Sequence, residues 1–133
     1  MDMSQIGILE ILAATFTGMI LGAFWYSPIA FGNAWMKAIG KTPETLGSAT
    51  MPMIGSVFAS LFSAIGVAVL HSALNISALE QALILGLLLG LLIIFPALLS
   101  DNLFCGWGTP LLLIQAGYRV VAILLMSLVV YLI

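Results

Sequence analysis

Eight side chains carry a formal charge at neutral pH: Asp2, Glu10, Lys37, Lys41, Glu44, Glu80, Asp101 and Arg119. Arg119 stands apart, because it is the only charge in the run from Pro110 to Ile133. At about 1.5 Å per residue it lies roughly 14 Å beyond Pro110, close to the middle of a bilayer core about 30 Å thick. A guanidinium at that depth costs about 2.5–3.5 kcal/mol on the insertion scale, and it cannot escape by losing its proton. It must snorkel, meet an acid, or face water or a ligand. Gln115 lies four positions earlier and Tyr118 adjoins it, so the three share one helix face. Together they offer a fixed cation and hydrogen-bonding groups, the chemistry that holds an anionic or hydrogen-bonding group.

Little else in the chain points to reaction chemistry. His71 is the only histidine and Cys105 the only cysteine, so no intrachain disulfide and no Cys/His metal cluster can be assembled. No Ser/His/acid set can be placed, because His71 belongs to the membrane face opposite Asp101. No strand exists to carry a glycine-rich phosphate loop. The reading is therefore of a non-enzyme with no cofactor and no metal. A formal net charge of −2 and the lack of a basic patch exclude nucleic acid as a partner.

The elements that must position these residues follow from composition. Hydrophobic residues make up 63% of the chain and charged ones 6%, far from the quarter or so that a soluble domain carries. The expectation is an all-α polytopic membrane protein, a single integral membrane domain with four transmembrane helices near 6–26, 53–74, 78–99 and 110–132. Met1-Asp2-Met3-Ser4 has no basic n-region and the first apolar run is too long for an h-region, so a cleavable signal peptide is not expected. Trp25 and Tyr26 suit the headgroup belt, and Pro28 breaks the first span. Phe31, Trp35, Met36 and Ile39 then recur with a helical period, which predicts a short amphipathic surface helix over about 29–39. Thr42 to Thr50 is the clear linker.

Within the spans, Gly18 with Gly22 and Gly86 with Gly90 repeat a small-xxx-small spacing and are expected helix contacts. Ser56, Ser60, Ser63 and His71 fall on one face of the second span, a polar seam expected to point at other helices. Ser77 and Glu80 are placed as a capping box, and Pro96 should kink the third span. Ser100 to Gly108 is read as a loop. Lys37 and Lys41 sit in the loop after the first span, while loops on the opposite face carry no Lys or Arg. That places the long loop in the cytoplasm and both termini outside it.

Antiparallel packing of four spans gathers Tyr26, Ser27, Asp101 and Asn102 at the end towards which Gln115, Tyr118 and Arg119 reach. Two readings of this cluster stay open. In one, Arg119 pairs with Asp101 and merely fixes helix register. In the other, a small polar pocket open to the cytoplasm holds a ligand for binding or transport. A different class of function, an accessory subunit packing its glycine faces and Trp-rich rim against other membrane chains, is the alternative. Both functions call for lipid and for a homo-oligomer or a larger membrane complex as partners, because four short spans seldom enclose a pathway alone.

The stretch Phe24-Trp25-Tyr26-Ser27-Pro28-Ile29-Ala30-Phe31-Gly32-Asn33-Ala34-Trp35-Met36 resembles the W-Y-S-P-x-x-F-G-x-x-W-M signature of a bacterial family of small four-span membrane proteins, domain-of-unknown-function family 1761. Asn102-Leu103-Phe104 and Leu112 to Tyr118 are similar to that family's N-x-L-F and I-N-A-G-Y segments. Its members often carry basic residues before the last span, where this chain has Cys105-Gly106-Trp107-Gly108. The resemblance implies the four-span fold and a bacterial inner membrane, and it implies no activity.

Overall fold

The computed structural model describes residues 6–133; Asp2 and the amino-terminal segment lie outside them. Seven helical segments follow one another: α1 (Ile8–Trp25), α2 (Gly32–Ile39), α3 (Thr50–Leu74), α4 (Leu79–Leu88), a π-helical segment (Leu89–Ile94), α5 (Phe95–Cys105) and α6 (Thr109–Leu132). Segments α4 to α5 form one continuous rod, so four helices are long and apolar enough to cross a membrane. Long runs of Leu, Ile, Val and Ala leave no polar face to hold a soluble surface, and large apolar side chains such as Phe16, Phe62 and Leu92 stand exposed around the bundle. Lipid is the solvent that makes such a surface stable.

The third rod differs from its expected bounds. It runs on to Cys105, so Asp101 and Asn102 occupy its final turns and not a loop. Gly106 ends it in the left-handed conformation at φ 66°. Proline at position 96 has no N–H to donate, and its ring would crowd the carbonyl of Leu92. The π segment immediately before it widens the turn and absorbs that clash without ending the rod. At the other end of the rod, Gln81 and not Glu80 closes the start of α4: its Oε1 accepts the N–H of Ser77 at 2.9 Å. The surface helix is shorter than the sequence suggested, because residues 27–31 fold into a turn around Pro28 before α2 begins.

Helix α6 is the axis of the packing, in contact with every other helical element. The main core is one-sided. Ala14 of α1, Ala64, Val67 and Ala68 of α3, and Ile123, Met126 and Val130 of α6 form it, all towards the end at which α1 begins and α6 finishes. At the α2 end the first nine residues of α3, from Thr50 to Phe58, are exposed on every face. The bundle is closed at one end and splayed at the other.

Candidate functional site

The aromatic stretch after α1 folds into a tight corner at the splayed end. Ser27 donates its hydroxyl to the Phe24 carbonyl at 2.6 Å, and the N–H groups of Phe31 and Gly32 return to the carbonyls of Trp25 and Ser27, each at 2.9 Å. Those bonds lay the Phe31 ring on Trp25, with centroids 4.7 Å apart. They also bring Trp35 edge-on to Tyr26 at 5.4 Å. Gly32 is buried against the backbone of Tyr26 and Ser27, where a methyl group would lie 2.7 Å from the Ser27 carbonyl oxygen. The signature thus encodes a folded corner, and Ser27 serves the corner itself.

The corner is clipped to α6. Trp25 donates its indole N–H to the Ile114 carbonyl at 3.0 Å, and its ring lies against Gly117, where a Cβ would come within 3.0 Å. Tyr118 leans the same way. Its hydroxyl donates to the Gly18 carbonyl at 3.1 Å, admitted by the missing side chain of Gly22. Tyr26 meets the Tyr118 ring edge-to-face at 5.5 Å. Burial pushes the Tyr26 hydroxyl up to about 12; Arg119 pulls the other way and Tyr118 adds a small further rise. It therefore stays a neutral donor at physiological pH.

Arg119 has a position that its exposure alone would not suggest. Leu112 and Met126 lie seven residues to either side of it, on the same stripe of α6. Both are buried, at 7% and 2% exposure, whereas Arg119 is exposed. Arg119 is thus the exposed position between two buried ones on this stripe. The guanidinium rests 5.3 Å from the centre of the Tyr118 ring, a cation–π contact. It makes no ion pair with Asp101. The reason is axial: Asp101 lies about 6 Å before the end of α5 and Arg119 about 15 Å into α6, so roughly 9 Å separates them, beyond the 6–7 Å reach of the side chain.

Asn102 is drawn into the turn instead. It is 5% exposed, donates Nδ2–H to the Gly108 carbonyl at 3.0 Å, and its own carbonyl accepts the Trp107 N–H at 3.2 Å. Gln115 does face open space: a cavity of about 410 Å³ is lined by Ala38 and Ile39 of α2, Gly106 and Trp107, and Leu111 and Gln115 of α6. All four glycines expected at helix contacts are used inside the chain. Gly18 meets Ser60 and Met126, Gly22 meets Tyr118, Gly86 meets Leu124, and Gly90 meets Val120.

The closed end carries polar contacts of its own. His71 Nε2 lies 2.8 Å from Ser127 Oγ, and Ser127 donates its only proton to the Ala82 carbonyl at 2.7 Å. Ser60 likewise donates to the Thr15 carbonyl at 2.8 Å. Ser56 does not join this seam; it is exposed and donates to Pro52 on its own helix. The sequence pattern does not single out Ser127, whose only signal is that it is the lone serine of the last span. Glu10 lines a cavity beside His71. Ser127 is fully buried with its proton committed, so it is a structural hydroxyl and not a nucleophile. Among the described residues no three His, Cys, Asp or Glu side chains come together as a metal site.

Four apolar rods, outward-facing hydrocarbon and a folded aromatic corner define a multi-pass integral membrane protein. The chain belongs to the family described as "Protein of unknown function (DUF1761)", whose model matches residues 9–131. No curated protein and no solved structure matches it.

Proposed function

We propose that this is a small-ligand-binding membrane protein whose open half receives an anionic amphiphile, with Arg119 as the anchor for its charged group. The observation that carries this reading is the stripe of α6: Leu112 and Met126 are buried, and the cation between them is exposed and unpaired. A guanidinium at this depth is stable only against a charge or a polar group, and among the described residues no acid pairs with Arg119. Tyr118 holds the guanidinium through its ring face, since its hydroxyl is committed to Gly18. Tyr26 remains a neutral donor nearby, and Gln115 stands at the α2 side of the same helix. Lys37 and Lys41 support an orientation in which this mouth faces the cytoplasm from a bacterial inner membrane, with both termini on the other side.

The test uses the protein in nanodiscs and its own tryptophans, since Trp25 and Trp35 frame the corner next to Arg119. A long-chain fatty acid brominated along the chain should quench their fluorescence saturably, and its uncharged alcohol analogue should do so only weakly. Arg119→Gln should remove that difference. Equal quenching by acid and alcohol, unchanged in Arg119→Gln, would refute the reading.

A second reading rests on a different observation. Gly55, Ala59, Ser63 and Gly66 make a small-residue stripe on α3, and nothing lies within 4 Å of where a Cβ would sit on Gly55 or Gly66. In this reading a second copy packs there and its helix closes the gap. The glycine faces first expected to serve partners are already occupied within the chain, so α3 is the face left for it. Cysteines placed at Gly55 and Gly66 in a Cys105→Ser background would form disulfide dimers in native membranes if this holds.

A further inference from the structure

At the end of the bundle away from α2 lies a second cavity, of about 180 Å³, separate from Arg119. Glu10 of α1, His71 and Asn75 at the end of α3, and Tyr131 of α6 line it. Each of these residues sits within about 5 Å of its helix end, which is the level of lipid headgroups.

The hydrogen bonds at its wall fix what the cavity offers. Ser127 gives its single proton to Ala82, so towards His71 it can only accept. That makes Nε2 the protonated nitrogen of the neutral ring and leaves Nδ1 as a lone-pair acceptor. Among the described residues no buried side-chain nitrogen or oxygen lacks a partner, and Nδ1 has no partner among them, so it opens to the cavity. Glu10 spends one carboxylate oxygen weakly on the Gly7 N–H at 3.3 Å and keeps the other. No ion pair joins Glu10 to His71 across the space. No described Lys or Arg lines it.

A carboxylate and an imidazole acceptor facing one cavity, without a cation between them, call for a positively charged group with several N–H donors. We propose that this cavity binds a primary ammonium group, which donates to the free oxygen of Glu10 and to Nδ1 of His71. A primary ammonium has three hydrogens to give; a trimethylated one has none. Two sources carry that chemistry at this depth, the ethanolamine headgroup of a phospholipid and a soluble amine. The amide of Asn75 and the hydroxyl of Tyr131 at the same cavity suit the phosphate that follows the amine in a lipid.

The experiment takes the whole chain in detergent and adds phosphatidylethanolamine, phosphatidylcholine of the same acyl chains, or soluble ethanolamine. Lipid retention is read by native mass spectrometry and stability by the thermal midpoint. Phosphatidylethanolamine should be retained and should raise the midpoint, whereas phosphatidylcholine should do neither. Glu10→Gln keeps an acceptor for Gly7 and should leave the lipid-free midpoint in place. It should weaken retention of phosphatidylethanolamine about tenfold or more, as loss of a charge-assisted hydrogen bond does. Displacement of the lipid by soluble ethanolamine would support the site and admit a soluble amine as ligand; lack of displacement would support it with the lipid as source. Equal retention of the two lipids by the unaltered chain would overturn the proposal, and so would an undiminished preference in Glu10→Gln.

Discussion

The indole N–H of Trp25 donates to the carbonyl oxygen of Ile114 at 3.0 Å, joining the last residue of α1 to the second turn of α6. A contact across so much sequence holds the splayed end together where the main core does not reach. The Ile114 carbonyl remains inside a helix, so its loss leaves no fully orphaned group. Trp25→Phe should therefore cost only about 0.5–1.5 kcal/mol, in line with cross-helix hydrogen bonds in membranes. Trp25→Ala also removes the ring that covers Gly117 and Phe31 and should cost about 3 kcal/mol or more. Reversible unfolding in mixed detergent micelles measures both, and equal losses would mean that the indole bond and not the ring matters.

The glycines should sort by what faces them. A methyl at Gly32 meets backbone atoms of Tyr26 and Ser27, which cannot move without opening the corner. Gly32→Ala should lose about 1–3 kcal/mol, the usual cost of overpacking. Gly55→Ala and Gly66→Ala meet open space and should be neutral, or gain up to about 1 kcal/mol of helix propensity in the single chain. The same micelle unfolding assay ranks the three variants. A loss at Gly55 or Gly66 as large as that at Gly32 would show that those faces are covered.

How far these contacts could be read beforehand depends on their physical origin. Apolar length made the four spans legible, because it is a property of a single helix, and the small-xxx-small spacing of Gly18, Gly22, Gly86 and Gly90 is read within single helices in the same way. The third rod was underestimated by six residues, since Ser100, Asp101 and Asn102 look like a polar loop until the left-handed Gly106 is seen to end the helix. The environment of Arg119 was half legible. Its depth follows from counting residues, but whether Asp101 reaches it depends on the relative heights of two rods. The pairing of His71 with Ser127 spans 56 residues, and no spacing rule links positions on different helices.

Ser127 is the hinge of the buried polar contact between α3, α4 and α6. In Ser127→Ala the Nε2–H of His71 loses its acceptor inside the closed end, and the Ala82 carbonyl loses an added donor. The expected loss is about 1–3 kcal/mol. His71→Leu in the same background should add less than it does alone, because the unpaired N–H is then gone. A double-mutant cycle in micelles checks this, and additive losses would mean that the two side chains do not act as a pair.

Arg119 and Asp101 offer the sharpest contrast. A buried ion pair broken on one side costs about 3–5 kcal/mol. Here Asp101 is exposed on α5 and joins no ion pair with Arg119, so Asp101→Asn should change stability by no more than about 0.5 kcal/mol. Arg119→Leu removes the one charge of α6 and gives up only a cation–π contact of about 0.5–1 kcal/mol at an exposed site. The insertion cost of the guanidinium, about 2.5–3.5 kcal/mol, is larger. Arg119→Leu should therefore leave the folded chain as stable as before or firmer, while the charge-dependent quenching by a brominated fatty acid disappears. Arg119→Lys keeps the charge but not the planar fork, and should retain part of that quenching. If instead Asp101→Asn and Arg119→Leu each destabilise the chain by several kcal/mol and the double variant recovers the loss, the two residues pair in the bilayer and the open site is closed by its own acid.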